Sequence, residues 1–389
     1  MIKGNFPIEK FETLQTPFYY YDTALLRQTL DIVKHESEQY NYDVHYALKA
    51  NVNSDLLRII ASYGLGADCV SGNEIQAAIE AGFPAEKVVF AGVGKTDREI
   101  NRALDFDIFC FNAESEQELQ VINMLATKKG KKARVALRIN PNVDAHTHHY
   151  ITTGLNENKF GFNIENLDKV IAVIPSLTNL EFIGLHFHIG SQITDLSSFQ
   201  DLCVRVNELQ DDLEEKGIVL KHINIGGGLG INYEHPNHFP IADFETYFRL
   251  FHKNLRLREG QQLHCEPGRS IVAQCGSLIT RVTYIKKGIS KQFAIVDAGM
   301  TDLIRPALYE AHHRIENISS NEPVEFYDVV GPICESSDVF QKHCELNGSR
   351  RGDFLALRSA GAYGEIMASR YNLRELPKAY LSEKLIVNG

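Results

Sequence analysis

With 389 residues, the chain is longer than one ordinary domain and shorter than three. Its 40 Lys and Arg residues against 50 Asp and Glu residues give a net charge of -10, which argues against nucleic acid or an anionic membrane as a partner. No stretch approaches the ~20 apolar residues of a membrane span, and no signal-peptide pattern opens the sequence. The seven cysteines are scattered without a CxxC pair, which favours a cytoplasmic protein with reduced thiols.

Strand-like and helix-like runs alternate along most of the chain. The aromatic run Phe18–Tyr21 is typical of a strand, and a helical pattern follows it over residues 24–33. Eight further apolar runs are typical of strands: Val44–Ala50, Ala67–Val70, Val88–Ala91, Ile108–Phe111, Val135–Ile139, Phe182–Ile189, His222–Ile225 and Leu263–Cys265. The amphipathic runs between them are typical of helices: Asp55–Tyr63, Glu74–Ala81, Asp97–Leu104, Glu116–Ala126, Ile164–Ile174, Ser198–Lys216 and Asp243–Leu257.

This alternation predicts an α/β fold with a parallel sheet, and eight units in roughly 250 residues match the size of a (β/α)8 TIM-type barrel. An open doubly wound sheet is the structural alternative. The eight-fold count and the lack of a GxGxxG motif after the first strand argue against it. The long irregular segment 141–163 inside the pattern is typical of a functional lid.

The alternation stops after Arg269, and strand-like runs separated by polar turns take its place. These runs are Ser277–Ile285, Phe293–Asp297, Val324–Val330 and Phe354–Leu357. They predict a mostly antiparallel β-sandwich or β-barrel domain, which the N-terminal strand would join. The predicted organisation is a barrel over residues 24–274 and a β domain built from residues 1–23 and 275–389.

In a barrel, chemistry takes place where the strands end, so the strand ends hold the candidate residues. Lys49 ends the first strand, within Tyr46–Asn51. A buried charged amine without a partner is costly, but a carbonyl cofactor that binds the amine, or a lowered pKa, would account for it. The ordinary alternative is a lysine that reaches solvent. Asp68 ends the second strand, where its ordinary role would be a helix cap or a turn.

Three later strand ends carry further candidates. His186 and His188 would share one face of a strand and could ligate a metal, fill the barrel interior or stack on a flat ligand. Gly226–Gly228 could bring backbone N–H groups to a phosphate or could form only a tight turn. Glu266 and Arg269 flank a Pro-Gly turn and could form only a local salt bridge.

Taken together, these groups fit pyridoxal phosphate, and we predict no metal site. Lys49 would bind the cofactor covalently, while Gly226–Gly228 and Arg269 would hold its phosphate. Glu266 would keep the pyridine nitrogen protonated, and His188 would pack on the ring face.

The same motifs, with Gly331–Ser336 and Gly361–Gly364, resemble the group IV pyridoxal-phosphate decarboxylases, which have the alanine-racemase fold (fold type III). They occur in the order of that family over nearly the whole chain, and the branch that acts on meso-diaminopimelate is the most similar. The resemblance implies catalytic roles for Lys49, His188 and Glu266. The cofactor contacts that it implies are Lys49, Asp68, His188, Ser191, Gly226, Gly227, Gly228, Glu266, Gly268, Arg269 and Tyr363.

The resemblance also implies a general acid, Cys334, that returns a proton to the substrate. In the family this residue and its neighbours enter the site from the other subunit, so a homodimer with active sites shared across the interface is implied.

Substrate choice in this family depends on the residues that hold the distal end of the substrate. The segment Met300–Tyr309 resembles the diaminopimelate branch, in which Arg305 would pair with the distal carboxylate and Tyr309 would add a hydrogen bond. Glu335 would bind the distal ammonium. The implied substrate contacts are Arg269, Arg305, Tyr309, Glu335 and Tyr363. A surface arginine before a proline is the ordinary alternative for Arg305.

The segment from Tyr150–Gly154 to Gly161 resembles the active-site loop of the family. His146, His148 and His149 lie just before it, and we interpret them as part of a polar loop because no cysteine or carboxylate stands at ligand spacing.

The expected activity is that of a lyase of lysine biosynthesis, which decarboxylates meso-2,6-diaminopimelate to L-lysine and CO2. One alternative is a related decarboxylase that acts on carboxynorspermidine or a basic amino acid. A second is an amino-acid racemase, although racemases of this type usually face the ring nitrogen with arginine and not with a residue such as Glu266. A third is a catalytically silent regulator, which the presence of Lys49 and Cys334 disfavours.

Overall fold

A computed structural model gives the structure of residues 6–143 and 159–387. It divides into two compact units, one formed by Leu30–Gly230 with Asp243–Gly268 and the other by the rest of the described chain. The second unit includes Ile231–Ala242, which no sequence pattern assigned to it. The predicted limits of the two domains stay a prediction. The predictions for His146, His148, His149 and Tyr150–Gly154 lie outside the described residues.

The strands and helices have the following bounds. The strands are β1 (Phe18–Tyr21), β2 (Asp43–Ala47), β3 (Gly66–Cys69), β4 (Val88–Phe90), β5 (Cys110–Ala113), β6 (Ala133–Asn140), β7 (Phe162–Asn163), β8 (Leu180–His186), β9 (His222–Asn224), β10 (Gln262–Cys265), β11 (Gly276–Lys287), β12 (Gln292–Val296), β13 (Ile315–Asn317), β14 (Val324–Val330), β15 (Val339–Asn347), β16 (Phe354–Leu357) and β17 (Lys378–Leu381). The α-helices are α1 (Ile8–Phe11), α2 (Thr23–Glu38), α3 (Ser54–Ser62), α4 (Gly72–Ala81), α5 (Asp97–Asp105), α6 (Glu116–Lys129), α7 (Leu167–Val173), α8 (Ser197–Glu215), α9 (Phe244–Asn254), α10 (Arg269–Val272), α11 (Arg305–Tyr309) and α12 (Ser382–Val387).

The first unit is a closed barrel of parallel strands, which confirms the predicted fold class. The strand order is β5-β4-β3-β2-β10-β9-β8-β6, and pairing of β5 with β6 closes the ring. Each neighbouring pair in the chain is connected through one of the helices α3 to α9. Within the described chain, no helix is long and apolar enough to span a membrane.

Local sequence accounts for where several barrel helices begin. A capping residue precedes each of four helices: Ser71 before α4, Thr96 before α5, Ser115 before α6 and Asp243 before α9. The side chain of each accepts a hydrogen bond from a backbone N–H in the first turn of its helix. Such caps satisfy donors that a helix end would otherwise leave unpaired. The caps therefore fix the residues at which these helices start.

Several predicted strands end earlier than expected, and two of these corrections concern site residues. The strand predicted over Val44–Ala50 ends at Ala47, and residues 48–50 form a 3-10 turn that contains Lys49. The strand predicted over Phe182–Ile189 ends at His186. In each case the pairing with the neighbouring strands stops there. Lys49 and His188 therefore lie just beyond the barrel strands.

The second unit is built on an eight-stranded mixed sheet. Its longest strand, β11, pairs with β1, β16 and β12, and all three pairings are antiparallel. The pairings of β1 with β17 and of β12 with β14 are parallel, so the sheet is mostly but not wholly antiparallel. Aromatic side chains from α1, β1 and β16 pack in its core. The strands β13, β15 and β17 were not predicted.

We expect Gly184→Ala to destabilise the barrel, because a Cβ at this position would overlap the backbone oxygen of His222 on the neighbouring strand. Overpacking of a buried position usually costs ~1–3 kcal/mol. A lower midpoint of thermal unfolding checks this. Gly94→Ala is the matched control, since a Cβ there meets no atom within 4 Å. Equal midpoints for the two variants would show that β8 and β9 are not packed as described.

Candidate active site

Lys49 and Asp68 come together at the carboxyl ends of β2 and β3. The Lys49 Nζ lies 3.8 Å from the Asp68 Oδ2, and 38% of the lysine side chain is exposed. Asp68 is fully buried, and neither of its carboxylate oxygens has a hydrogen-bond partner among the described residues. Burial and the charge of Glu266 raise the pKa of Asp68 to about 8, which Lys49 only partly opposes. Lys49 therefore has an accessible amine beside a carboxyl group that is mostly protonated at neutral pH.

Glu266 follows β10 and is held by three side chains from three other strands. His186 Nε2 lies 3.0 Å from one carboxylate oxygen, while the other accepts hydrogen bonds from Asn224 at 2.6 Å and Asn112 at 3.4 Å. Burial acts to raise the pKa of Glu266, but His186 and then Lys49 outweigh it and hold that pKa below its usual range. The site therefore contains a buried carboxylate that stays charged.

His188 lies next to the glycine turn that follows β9. Its Nδ1 accepts a hydrogen bond from the Gly227 N–H at 3.3 Å. Desolvation of the ring, together with the Lys49 charge, holds the pKa of His188 well below its usual value. The imidazole is therefore neutral, with Nδ1 as the acceptor.

The glycine turn is as tight as the sequence predicts. A Cβ at Gly226 would overlap the backbone oxygen of Phe187, and one at Gly227 would overlap that of Glu266. The N–H groups of these two glycines are already bonded to side chains, that of Gly226 to Asn224 at 2.8 Å. The Gly228 N–H has no acceptor in the described part of the chain, so it is the N–H of this turn that remains open to an anion.

Other predicted cofactor residues also adjoin this region of the barrel unit. Ser191 is half-buried in the segment that follows His188. A Cβ at Gly268 would lie 3.0 Å from the Ala47 Cβ, so this glycine allows the chain after β10 to approach the end of β2 closely. No predicted role for these two residues is tested by their positions.

The second unit holds a cluster of buried cations around one tyrosine. The Tyr233 hydroxyl accepts hydrogen bonds from Arg269 Nη1 at 2.7 Å and from Arg305 Nη1 at 3.0 Å. Arg305 also bonds His313 Nε2 at 2.8 Å, and Arg269 lies 4.8 Å from the centre of the Tyr363 ring. Both arginines are buried, so the alternative of a surface arginine is wrong for Arg305. Such a cluster is suited to anion binding.

Three other predicted site residues are more exposed than the two arginines: Tyr309, Cys334 and Glu335. Tyr309 is half-buried at the end of α11, which Arg305 begins. Cys334 and Glu335 are exposed, and the Cys334 N–H donates to the Asn372 side chain at 3.3 Å. Glu335 accepts a hydrogen bond from the Tyr371 hydroxyl at 2.6 Å. A thiol and a carboxylate are thus presented on one accessible loop.

Sequence reasoning missed several residues that hold the predicted ones in place. Asn112, Asn224 and the bond from His186 to Glu266 were not predicted, nor were Tyr233 and His313. The signal for the asparagines was weak, although each is a polar residue within an apolar run at a strand end. Tyr233 lies only five positions after Gly228, so its nearness to a recognised motif was the available signal.

The Arg138–Glu114 ion pair was also missed. It joins the ends of β6 and β5 at 3.1 Å, and Glu114 also accepts the Gly161 N–H at 3.0 Å. The guanidinium lies 4.5 Å from the centre of the Phe160 ring. This pair therefore anchors the described end of the long 141–163 segment.

Comparisons with known proteins identify relatives of this chain. Residues 25–273 match the family model of the pyridoxal-dependent decarboxylases, in its pyridoxal binding domain. A diaminopimelate decarboxylase of Bacteroides thetaiotaomicron is 63% identical over 386 residues, which cover 99% of this chain and 100% of the relative. This chain belongs to the diaminopimelate decarboxylase family. The resemblance predicted from the motifs is therefore confirmed.

Solved structures of the family extend the comparison to the fold. Diaminopimelate decarboxylase of Helicobacter pylori complexed with L-lysine aligns with a TM-score of 0.90 and 42% identity, over 96% of this chain and 93% of that chain. The lysine/ornithine decarboxylase of Vibrio vulnificus complexed with putrescine aligns with a TM-score of 0.83 and 21% identity, over 96% of each chain. The latter likeness shows the fold alone.

We expect Asp68→Asn to stabilise the cofactor-free protein increasingly as pH rises. The folded-state pKa of about 8 lies above the ordinary aspartate value of 3.8, so the wild type loses stability as pH rises from the lower value through the higher one. The asparagine has no such ionisation. Thermal midpoints measured from about pH 5 to about pH 9 should diverge in favour of the variant.

The exposed residue Asp212 supplies the control, because Asp212→Asn should show no comparable divergence. A pH-independent difference between Asp68→Asn and the wild type would contradict the raised pKa of Asp68.

Proposed function

We propose that the chain decarboxylates meso-diaminopimelate to L-lysine and CO2, with pyridoxal phosphate as its cofactor, in lysine biosynthesis. The environment of Arg305 carries the choice of substrate. Its guanidinium is buried, and its hydrogen-bond partners among the described residues, Tyr233 and His313, are both neutral. A buried cation without a carboxylate partner is costly unless a ligand supplies the anion. The distal carboxylate of diaminopimelate does so, whereas the distal cation of a basic amino acid does not.

The residues of the barrel unit fit pyridoxal phosphate. Lys49 offers an accessible amine for the carbonyl carbon, and the charged Glu266 suits a protonated ring nitrogen. The tight glycine turn would admit a phosphate beside the open N–H of Gly228, and Arg269 would add a guanidinium. When bound, this cofactor withdraws the electrons that the breaking carbon–carboxylate bond releases.

Each of these residues would then have one task. Glu266, oriented by its three donors, would hold the proton on the ring nitrogen. The neutral His188 lies beside Gly227 and would pack on the ring. Lys49 would hold the cofactor through its amine and would take part in the release of the product. Cys334 returns a proton to the carbon that has lost CO2.

We propose further that the enzyme is a homodimer in which Cys334 and Glu335 complete the site of the partner subunit. The exposure of both residues on one loop supports this, because a general acid must reach its substrate. A cytoplasmic location is also proposed, in keeping with seven free cysteines.

We expect the purified protein with pyridoxal phosphate to release CO2 from meso-diaminopimelate and to form L-lysine. Ornithine, arginine, lysine and carboxynorspermidine should react far more slowly, since none of the basic amino acids offers Arg305 a distal carboxylate. A substrate panel with CO2 detection measures this. Faster turnover of any other member of the panel would overturn the proposed substrate.

Lys49→Ala tests the attachment of the cofactor. Reduction of the wild-type holoenzyme with borohydride, followed by peptide mapping, should find the cofactor on Lys49, and the variant should retain none. Cofactor found on another lysine of the wild type would refute the assignment.

Mixed dimers test whether the sites are shared. Lys49→Ala and Cys334→Ala should each be nearly inactive alone. Equal mixing after dissociation and reassociation should restore roughly a quarter of wild-type activity. About half of the dimers are then mixed, and each mixed two-fold dimer has one intact composite site of its two. No gain on mixing, although the mixed dimers form, would place Cys334 in the site of its own chain or outside catalysis.

A further inference from the structure

Two arginines with different proposed ligands meet at a single hydroxyl group. Tyr233 accepts hydrogen bonds from Arg269 and from Arg305. In the proposed function Arg269 serves the phosphate end of the cofactor, and Arg305 serves the distal carboxylate of the substrate. The tyrosine oxygen therefore joins the arginine proposed to serve the cofactor to the arginine proposed to serve the substrate.

Electrostatics explains why such a link is needed. Two buried guanidinium groups repel one another. Burial, and after it the charge of Arg269, lowers the pKa of Arg305, whereas Tyr233 raises it. Burial alone would raise the pKa of Tyr233, but the two guanidinium groups prevail and lower it. The hydroxyl oxygen thus carries the negative end of a dipole between two like charges and lets both stay charged before any anion binds.

His313 orients the second arginine from the other side. Its Nδ1 lies 2.9 Å from the backbone oxygen of Arg358, which can only accept, so Nδ1 must carry the proton. Nε2 is then the acceptor for Arg305, at 2.8 Å. Burial and the Arg305 charge hold the pKa of His313 well below its usual value, so the ring keeps this tautomer. The edge of the imidazole also packs against the Tyr233 ring, with centroids 5.1 Å apart.

The two supporting residues differ in reach. Tyr233 contacts both guanidinium groups, whereas the hydrogen bonds of His313 connect Arg305 with the backbone of Arg358. Loss of one support should therefore be distinguishable from loss of the other.

We infer that Tyr233 and His313 are positioning residues that preorganise Arg269 and Arg305, and that Tyr233 couples cofactor binding to substrate binding. This inference rests on the proposed function. Neither residue touches the reacting atoms in it, since each acts through an arginine. Cations that are already held in place lose little conformational entropy when an anion binds. The contribution of Tyr233 and His313 is therefore to the affinity for the anion.

Three variants separate the roles. Tyr233→Phe keeps the ring and removes the shared acceptor, and His313→Leu removes only the Arg305 acceptor. His313→Gln restores an acceptor at a similar reach. Tyr327→Phe is the matched control, because its hydroxyl bonds Glu325 and Ser349 and no guanidinium.

Two kinds of measurement are needed. The first is the dissociation constant of pyridoxal phosphate, obtained by adding it back to enzyme from which the cofactor has been removed, and the second is KM and kcat for meso-diaminopimelate. For Tyr233→Phe we expect both the dissociation constant and KM to rise roughly 10- to 100-fold with kcat little changed, as befits a lost hydrogen bond to a charged group. His313→Leu should raise KM alone, and His313→Gln should recover most of it. Tyr327→Phe should match the wild type in all three constants.

Several results would overturn the inference. One is a Tyr233→Phe variant that binds cofactor and substrate as the wild type does. Another is an equal loss of cofactor affinity in His313→Leu, or in Tyr327→Phe, which would indicate general loosening of the fold. Should the wild type bind cofactor but leave meso-diaminopimelate unchanged, the proposed function fails, and the cofactor affinity of Tyr233→Phe then decides whether Tyr233 positions Arg269 for the cofactor.

Discussion

A carboxylate that stays charged inside the barrel is the constraint on which the rest of the site depends. Glu266 is buried, and a buried carboxyl group without donors would be neutral. His186 and then Lys49 outweigh the effect of burial on the pKa of Glu266, and His186, Asn224 and Asn112 donate hydrogen bonds to its carboxylate. Each donor comes from a different strand, so the closed barrel is what brings them to one point. A charged carboxylate held in this way can keep a cofactor ring nitrogen protonated throughout the reaction.

The same barrel holds a second carboxyl group in the opposite state. Asp68 is as deeply buried as Glu266, but no described residue donates a hydrogen bond to it, so its pKa is raised whereas that of Glu266 is lowered. Environments that push two neighbouring pKa values apart are a common way to assign different roles to like side chains. Lys49 interacts with both groups. The charged Glu266 and the mostly neutral Asp68 together set the electrostatic field around the reactive amine.

Much of the fold followed from local sequence pattern. The eight barrel strands, the helices between them and five strands of the β domain were predicted, because period and turn residues are properties of short segments. The errors lie at element ends, as at Ala47 and His186, where pairing with neighbouring strands decides the boundary. The short strands β13 and β17 were missed because so few residues carry little periodicity. The parallel strand pairs in the β domain could not be predicted, since the direction in which two strands pair is not a property of a short segment.

The sequence by itself determined the family and the barrel, and it predicted the principal site residues, because those residues stand in motifs with fixed order and spacing. Only the tertiary structure decided what holds them. Asn112 and Asn224 are far apart in the chain, and no pattern joins them to Glu266 before the barrel closes. Tyr233 likewise acquires its meaning only when folding brings two buried arginines to its hydroxyl. Motifs identify groups that react, whereas the charge and orientation of those groups arise from contacts between distant segments.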